Sequence, residues 1–241
     1  MIKTVLLFSY LGVYLVFNSV ILPFWCALFI LGLRGAGRGI LNLSARMWAR
    51  HFLFLVGTRV IVEGRGNVPD GGRVCIISNH ESILDILVLI AYSGMTPGFV
   101  AKRELAFIPV LNFWMFMLHC VFIDRGSVKR SFRSLERGVK SLARGNPMVI
   151  FPEGTRSRTG RIGEFRPGSF HLASRAGALI LPVTLINTAG VFEKTGRFRS
   201  QTVRLVIHAP VPTAGISASD TAGLAEKVRG VILSAYPVSV C

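Results

Sequence analysis

A chain of 241 residues suits one domain, with room for a terminal appendage. It is apolar, with 51% hydrophobic residues, and basic, with 28 Lys and Arg against 12 Asp and Glu, a net charge of +16. Nucleic-acid binders are basic without so much aliphatic and aromatic mass, so that class is disfavoured. The balance fits a protein drawn to anionic lipid headgroups, to phosphate-bearing substrates or to an acidic carrier protein. The four cysteines, Cys26, Cys75, Cys120 and Cys241, have neither disulfide nor metal-ligand spacing. Cys26 and Cys75 sit in apolar runs and read as small hydrophobes in a reducing compartment.

In chain order, Val5 to Leu33 come first, 29 residues without a formal charge. A membrane span needs roughly 20. The stretch reads either as one long tilted helix or as two shorter ones broken around Asn18 to Pro23. It is too long for the apolar core of a signal peptide, and no small-x-small site closes it. Arg34, Arg38, Arg46 and Arg50 follow, with only Lys3 before. By the positive-inside rule the body then lies on the cytoplasmic face of the inner (plasma) membrane. The expected division is a membrane anchor with a basic connector over residues 1–50 and a catalytic domain over 51–241; crossing the bilayer and lying in one leaflet are both open.

Arg59 to Gly64 reads as the first strand of that domain, and Val74 to Ile77 as a short buried strand. Gly98 to Ala101 is a third. Leu105 to Ile123 is a second apolar stretch, but Pro109, Asn112 and His119 argue against a span and for a core or membrane-facing helix. Ser127 to Gly145 is the clearest helix, with Ser127 and Gly145 as caps. Val128, Phe132, Leu135, Val139 and Leu142 fall on one face; Arg130, Arg133, Arg137, Lys140 and Arg144 fall on the opposite one. This face reads either as a solvated one or, because solvated faces usually mix charge signs and these five cations come without an acid, as a contact for anionic lipid or an acidic partner. Strands follow at 148–151, 179–186 and 202–207, and a last helix at 221–235. Alternating strands and helices predict an α/β fold with a mixed, largely parallel sheet flanked by helices, preceded by the hydrophobic anchoring segment.

Two polar clusters stand at the ends of apolar strands. The first is Ser78-Asn79-His80-Glu81-Ser82-Ile83-Leu84-Asp85. His80 can accept a proton near neutral pH, and Asp85 can hold its ring in one tautomer. A spacing of five puts two residues about 140° apart on a regular helix. The pair therefore meets only if His80 sits in the turn before a helix and Asp85 reaches back from its first turns. The second cluster is Pro152-Glu153-Gly154-Thr155-Arg156-Ser157, where the planar fork of Arg156 suits a phosphate and Gly154, Thr155 and Ser157 offer further donors. No serine or cysteine lies in a nucleophile-elbow pattern, no metal-ligand cluster is present, and no glycine-rich nucleotide loop occurs. A base without its own nucleophile implies a substrate that brings one, such as a hydroxyl on a phosphorylated molecule.

Asn79-His80-x-x-x-x-Asp85 and Phe151-Pro152-Glu153-Gly154-Thr155-Arg156-Ser157 resemble the first and third blocks of the glycerolipid acyltransferase family, most closely its lysophosphatidic acid acyltransferases. Lys102-x-Glu104-Leu105-x-x-x-Pro109 with Phe122-Ile123-Asp124-Arg125 resembles the second block, and Ile180-Leu181-Pro182-Val183 the fourth. These four ordered blocks cover about residues 78–186. The resemblance implies that His80 takes the proton from a lysophospholipid hydroxyl as it attacks an acyl thioester, with Asp85 orienting His80. It implies that Arg125, Glu153 and Arg156 shape the glycerol-phosphate site, with Gly154 and Thr155 beside them, and that Lys102 steadies the thioester oxyanion. Glu153 cannot attract phosphate, so its expected part is to position Arg156 or bond a hydroxyl. The expected acyl donor is acyl carrier protein or coenzyme A, with no metal or resident cofactor, and the expected product is phosphatidic acid. Another lysolipid acceptor is one alternative; a non-catalytic protein sensing anionic membranes is the other.

Overall fold

The computed structural model describes residues 2–124, 126, 128–157, 161–216 and 220–236. The apolar amino-terminal stretch is two helices, α1 (Ile2–Asn18) and α2 (Leu22–Ile30), joined by one tight turn at Ser19–Ile21. Pro23 has no amide proton for a continuous ladder, which ends the first helix before it. Among the described residues no helix is long and apolar enough to cross a membrane. Of the two expected forms, the broken pair is the one present.

α3 (Arg34–Val56) runs through residue 50 without a break and ends on Gly57, whose φ of 87° closes the helix in the left-handed region. Its inner face, Ala49, Phe52, Leu53 and Val56, is fully buried. α1 also packs on the body: Leu7 joins the core and Phe8 meets Phe192 and Phe198 edge-on or tilted. The outer faces stay apolar, with Val5, Val13, Phe17, Phe24, Met47 and Phe54 exposed.

The sheet is built from β1 (Arg59–Glu63), β2 (Val74–Ser78), β3 (Gly98–Lys102), β4 (Val121–Ile123), β5 (Met148–Ile150), β6 (Leu179–Ile186) and β7 (Thr202–Ile207), in the order β1-β7-β6-β2-β5-β3-β4. All neighbours are parallel except β6 and β7. The five strands from β6 to β4 therefore point the same way, and their carboxyl ends line one edge. β2 is buried along its whole length because helices cover both faces. Val74 and Ile76 pack with α3 and α4 (Leu84–Tyr92); Cys75 and Ile77 pack on the other face. That second face carries α6 (Val128–Ala143), α7 (His171–Ala176) and α8 (Thr221–Ser234). Gly138 of α6 lets the helix close on α7, since a Cβ there would stand 2.6 Å from Leu172 Cδ1.

One expected helix is present only in part. Residues 105–123 form a tight turn ending at Phe107, a short α5 (Leu111–Met117) and the edge strand β4. Pro109 cannot donate a helical hydrogen bond, and the backbone turns through positive φ at Val110 (66°) and His119 (58°). Beyond the second turn, β-branched Val121 and Ile123 pair with β3. The aromatics divide: Trp114 is buried with Leu41 and Met117, whereas Phe107 and Phe116 are 70% and 71% exposed.

Candidate active site

The two polar clusters leave the carboxyl ends of adjacent strands, β2 and β5. β2 is also where the chain's connections part to either side, the place where open α/β sheets form their crevice. His80 lies in the turn before α4 and Asp85 is the second residue of that helix. The reach expected from their spacing is realised: His80 Nδ1–H donates to Asp85 Oδ2 at 2.7 Å. Asp85 is fully buried, and the same oxygen accepts the amides of Glu81 and Ser82 at 2.7 and 2.9 Å. Its other oxygen accepts Thr188 Oγ1–H at 2.5 Å. With Nδ1 engaged, Nε2 is left as the base of the ring.

Three further contacts hold His80, one at its ring and two at its backbone. Its ring lies flat on Phe151, with centroids 4.0 Å apart and planes 13° off parallel. Glu153 Oε1 accepts the His80 backbone amide at 2.9 Å, and Ser157 N–H donates to the His80 carbonyl at 2.7 Å. Asn79 extends the β2–β6 ladder with its side chain, donating to Leu185 O and accepting Leu185 N–H, both at 2.8 Å. The second cluster thus fixes the first.

The expectation that Glu153 positions Arg156 is not met. Its second oxygen accepts Gly163 N–H at 3.0 Å, so the carboxylate braces two loops. Burial pushes it above the ordinary glutamate value, against the pull of those amides. Arg156 is held instead by Glu193, Nη1 to Oε1 at 3.0 Å. Glu193 also accepts Ser82 Oγ–H at 2.5 Å and the Ile83 amide at 2.8 Å, so it ties the arginine to the start of α4. Gly154 has a φ of 77°, and the Arg166 guanidinium approaches it so closely that a Cβ would sit 3.1 Å from Cζ. Thr155 and Arg156 are exposed, and Lys102 ends β3 exposed at the same edge. Arg125 lies outside the described residues.

Behind the dyad is a buried acid. Glu81 is 4% exposed; it accepts Thr188 N–H at 3.0 Å and Tyr236 O–H at 2.5 Å. Burial is the main cause that raises its pKa, with the nearby Asp85 charge adding to it. Sequence reasoning passed over Thr188, Glu193 and Tyr236, which belong to no motif and meet Asp85, Arg156 and Glu81 only through the fold. Phe151 and Glu81 stood inside or beside the motif blocks and could have been singled out there.

The site supplies no nucleophile of its own beside His80 among the described residues. Among the described residues no serine, threonine or cysteine bonds the His80 ring, and Ser82 is buried and committed to Glu193. Burial pushes the thiols of Cys75 and Cys120 up to about 12. A histidine held by a buried carboxylate, with exposed cations at the same sheet edge, is an arrangement that can activate a hydroxyl brought by a substrate.

A family profile described as acyltransferase matches residues 59–186, and the chain belongs to that family. The chain is 32% identical to the 1-acyl-sn-glycerol-3-phosphate acyltransferase of Borreliella burgdorferi, over 75% of this chain and 73% of that one. It is 31% identical to the human 1-acyl-sn-glycerol-3-phosphate acyltransferase alpha, over 83% of this chain and 72% of that one. The crystal structure of the 1-acyl-sn-glycerophosphate (LPA) acyltransferase PlsC from Thermotoga maritima superposes with a TM-score of 0.75 at 25% identity. That match covers 98% of this chain and 96% of the other.

Proposed function

We propose that this protein is a 1-acylglycerol-3-phosphate O-acyltransferase. It moves a fatty acyl group from a thioester of acyl carrier protein or coenzyme A to the free 2-hydroxyl of lysophosphatidic acid, giving phosphatidic acid. The observation that carries this reading is the His80–Asp85 pair, locked by hydrogen bonds and stacking, with no nucleophile beside it among the described residues. His80 Nε2 accepts the hydroxyl proton as the oxygen attacks the thioester carbonyl; Asp85 stabilises the imidazolium. The tetrahedral intermediate then collapses with breakage of the C–S bond. The leaving thiolate takes the proton back from His80, so ester and free thiol form with no net change at the enzyme. Arg156 swings from Glu193 to the phosphate of the acceptor, and Lys102 is the donor at the same edge for the developing oxyanion.

The exposed apolar side chains of α1, α2 and α3 support a seat in the interface of one leaflet, on the cytoplasmic face of the membrane, where both lipid substrates reside. The test is transfer from labelled acyl thioesters, on both carriers, to a panel of lysolipid acceptors. Labelled phosphatidic acid as the main product is the expected outcome. Transfer confined to a lyso-ornithine lipid or another lysophospholipid overturns the acceptor. No transfer by folded, membrane-bound protein overturns the enzyme.

A further inference from the structure

At the opposite edge of the sheet, where the parallel strands begin, lies a groove of about 350 Å³ lined by Arg38, His119, Arg137, Lys140, Arg144 and Asn146. His119 stands just before β4 and Asn146 just before β5, whereas the dyad follows the end of β2, which is parallel to both through β5 and β3. The length of the strands therefore separates this groove from the acyl-transfer centre. It collects basic side chains from three places in the chain: the start of α3, the turn after α5 and the end of α6.

The charge there is uncompensated. Arg103, Arg156, Arg175, Arg204 and Arg229 each have a carboxylate partner. Among the described residues, Arg38, Arg137, Lys140 and Arg144 have none. Arg137 bonds only the Ser134 hydroxyl, at 3.0 Å. His119 is held in the left-handed region (φ 58°), and desolvation together with the Arg38 charge lowers its pKa. Four cations around a neutral imidazole repel one another until an anion enters, and that anion would also favour the protonated ring.

The rim of the groove says what kind of anion. Leu41, Trp114 and Met117 with Leu15 join α1, α3 and α5 into one apolar lobe, and Trp114 Nε1 donates to Leu15 O. Phe116, whose carbonyl accepts the His119 amide at 2.9 Å, stands exposed beside the groove. Cations bordering an exposed apolar surface match the headgroup layer of a bilayer, where phosphates lie just above the acyl chains.

We propose that this groove is a second anion site, distinct from the acyl-transfer centre, which holds the phosphate of an anionic lipid headgroup and orients the enzyme on the membrane. The test is partition of the full-length protein onto vesicles of phosphatidylcholine with and without one-fifth phosphatidylglycerol. The triple variant Arg137→Gln, Lys140→Gln, Arg144→Gln should lose about tenfold in binding to the anionic vesicles, less at high salt, and nothing on pure phosphatidylcholine. A control that removes the same charge elsewhere, Arg59→Gln, Arg65→Gln, Lys227→Gln, should bind nearly as the wild type. Anionic lipid should raise the His119 pKa in the wild type, read by NMR of the ring. Equal loss in the control, or no loss in the triple variant, overturns the site. A loss seen only in binding to an acidic carrier protein overturns the lipid, as does a His119 response to inorganic phosphate as large as the one to vesicles. None of these readouts uses catalysis, so they stand or fall apart from the acyl-transfer reading.

Discussion

The two edges of the sheet treat charge in opposite ways. At the carboxyl edge Asp85, Glu81, Glu153 and Glu193 are each saturated by amides, hydroxyls or an arginine before any substrate arrives. At the amino edge four cations face a groove with no carboxylate among the described residues. Saturated charges position: they cost little further reorganisation and hold a reacting group within tenths of an ångström. Unsaturated ones bind: their self-repulsion is relieved by a ligand of opposite sign. The first pattern suits the proposed reaction centre, the second the proposed attachment point.

The comparison can be broken hardest at the carboxyl edge. His80→Ala should lower kcat by about 10³-fold, since a general base contributes about 10²–10⁴-fold, while the protein stays folded by circular dichroism. Near-normal transfer by that variant would overturn the mechanism. Asp85→Asn keeps the volume but presents an amide to Nδ1, so the wrong tautomer is favoured; about a 10²-fold loss in kcat is expected, with little change in KM.

Arg156→Ala should raise KM for lysophosphatidic acid by about 10- to 100-fold, the worth of a charge-assisted hydrogen bond. KM for the thioester should hardly move. If a phosphate-free acceptor suffers equally, Arg156 serves Glu193 and the α4 turn, and not the substrate.

Thr188→Val sharpens the point further, because it removes one hydroxyl and keeps the shape. Asp85 Oδ1 loses its 2.5 Å donor, and kcat should fall by about threefold to tenfold. Thr188→Ser, which keeps the donor, should restore the rate. A variant that only melts earlier, with kcat unmoved, would mark Thr188 as structural.

The smallest effect concerns Glu81. Its pKa is raised by folding, so the stability it contributes is complete below the ordinary glutamate value and is lost as pH rises through the folded value. Glu81→Gln removes that loss. The unfolding midpoint of the variant should therefore gain on the wild type as pH rises from acid to neutral. A difference that shrinks over that range would show Glu81 to be ionised and favourably paired in the folded protein.

Much of this molecule is written locally. Strand positions follow from short apolar runs bounded by turn residues, and β2, β6 and β7 lie where those runs are. The dyad is legible because both members sit within five residues, and their spacing dictates a turn followed by a helix start. The apolar face of α6 follows from its periodicity, and Leu142 is fully buried as that pattern requires. Such features depend on neighbours along the chain, which a sequence states directly.

What the tertiary structure decided is which distant residues meet. Glu193 lies 37 residues from Arg156, Tyr236 lies 155 from Glu81, and Thr188 lies 103 from Asp85. Periodicity names the face a side chain occupies, never the partner across it, so none of these pairs could be read in advance. The same limit applies to residues 105–123. Their composition suited a helix, but a place beside β3 for Val121 and Ile123 made an edge strand the better use of β-branched side chains. It applies also to Arg38 and His119, which gain meaning only because the fold sets them against the cations of α6.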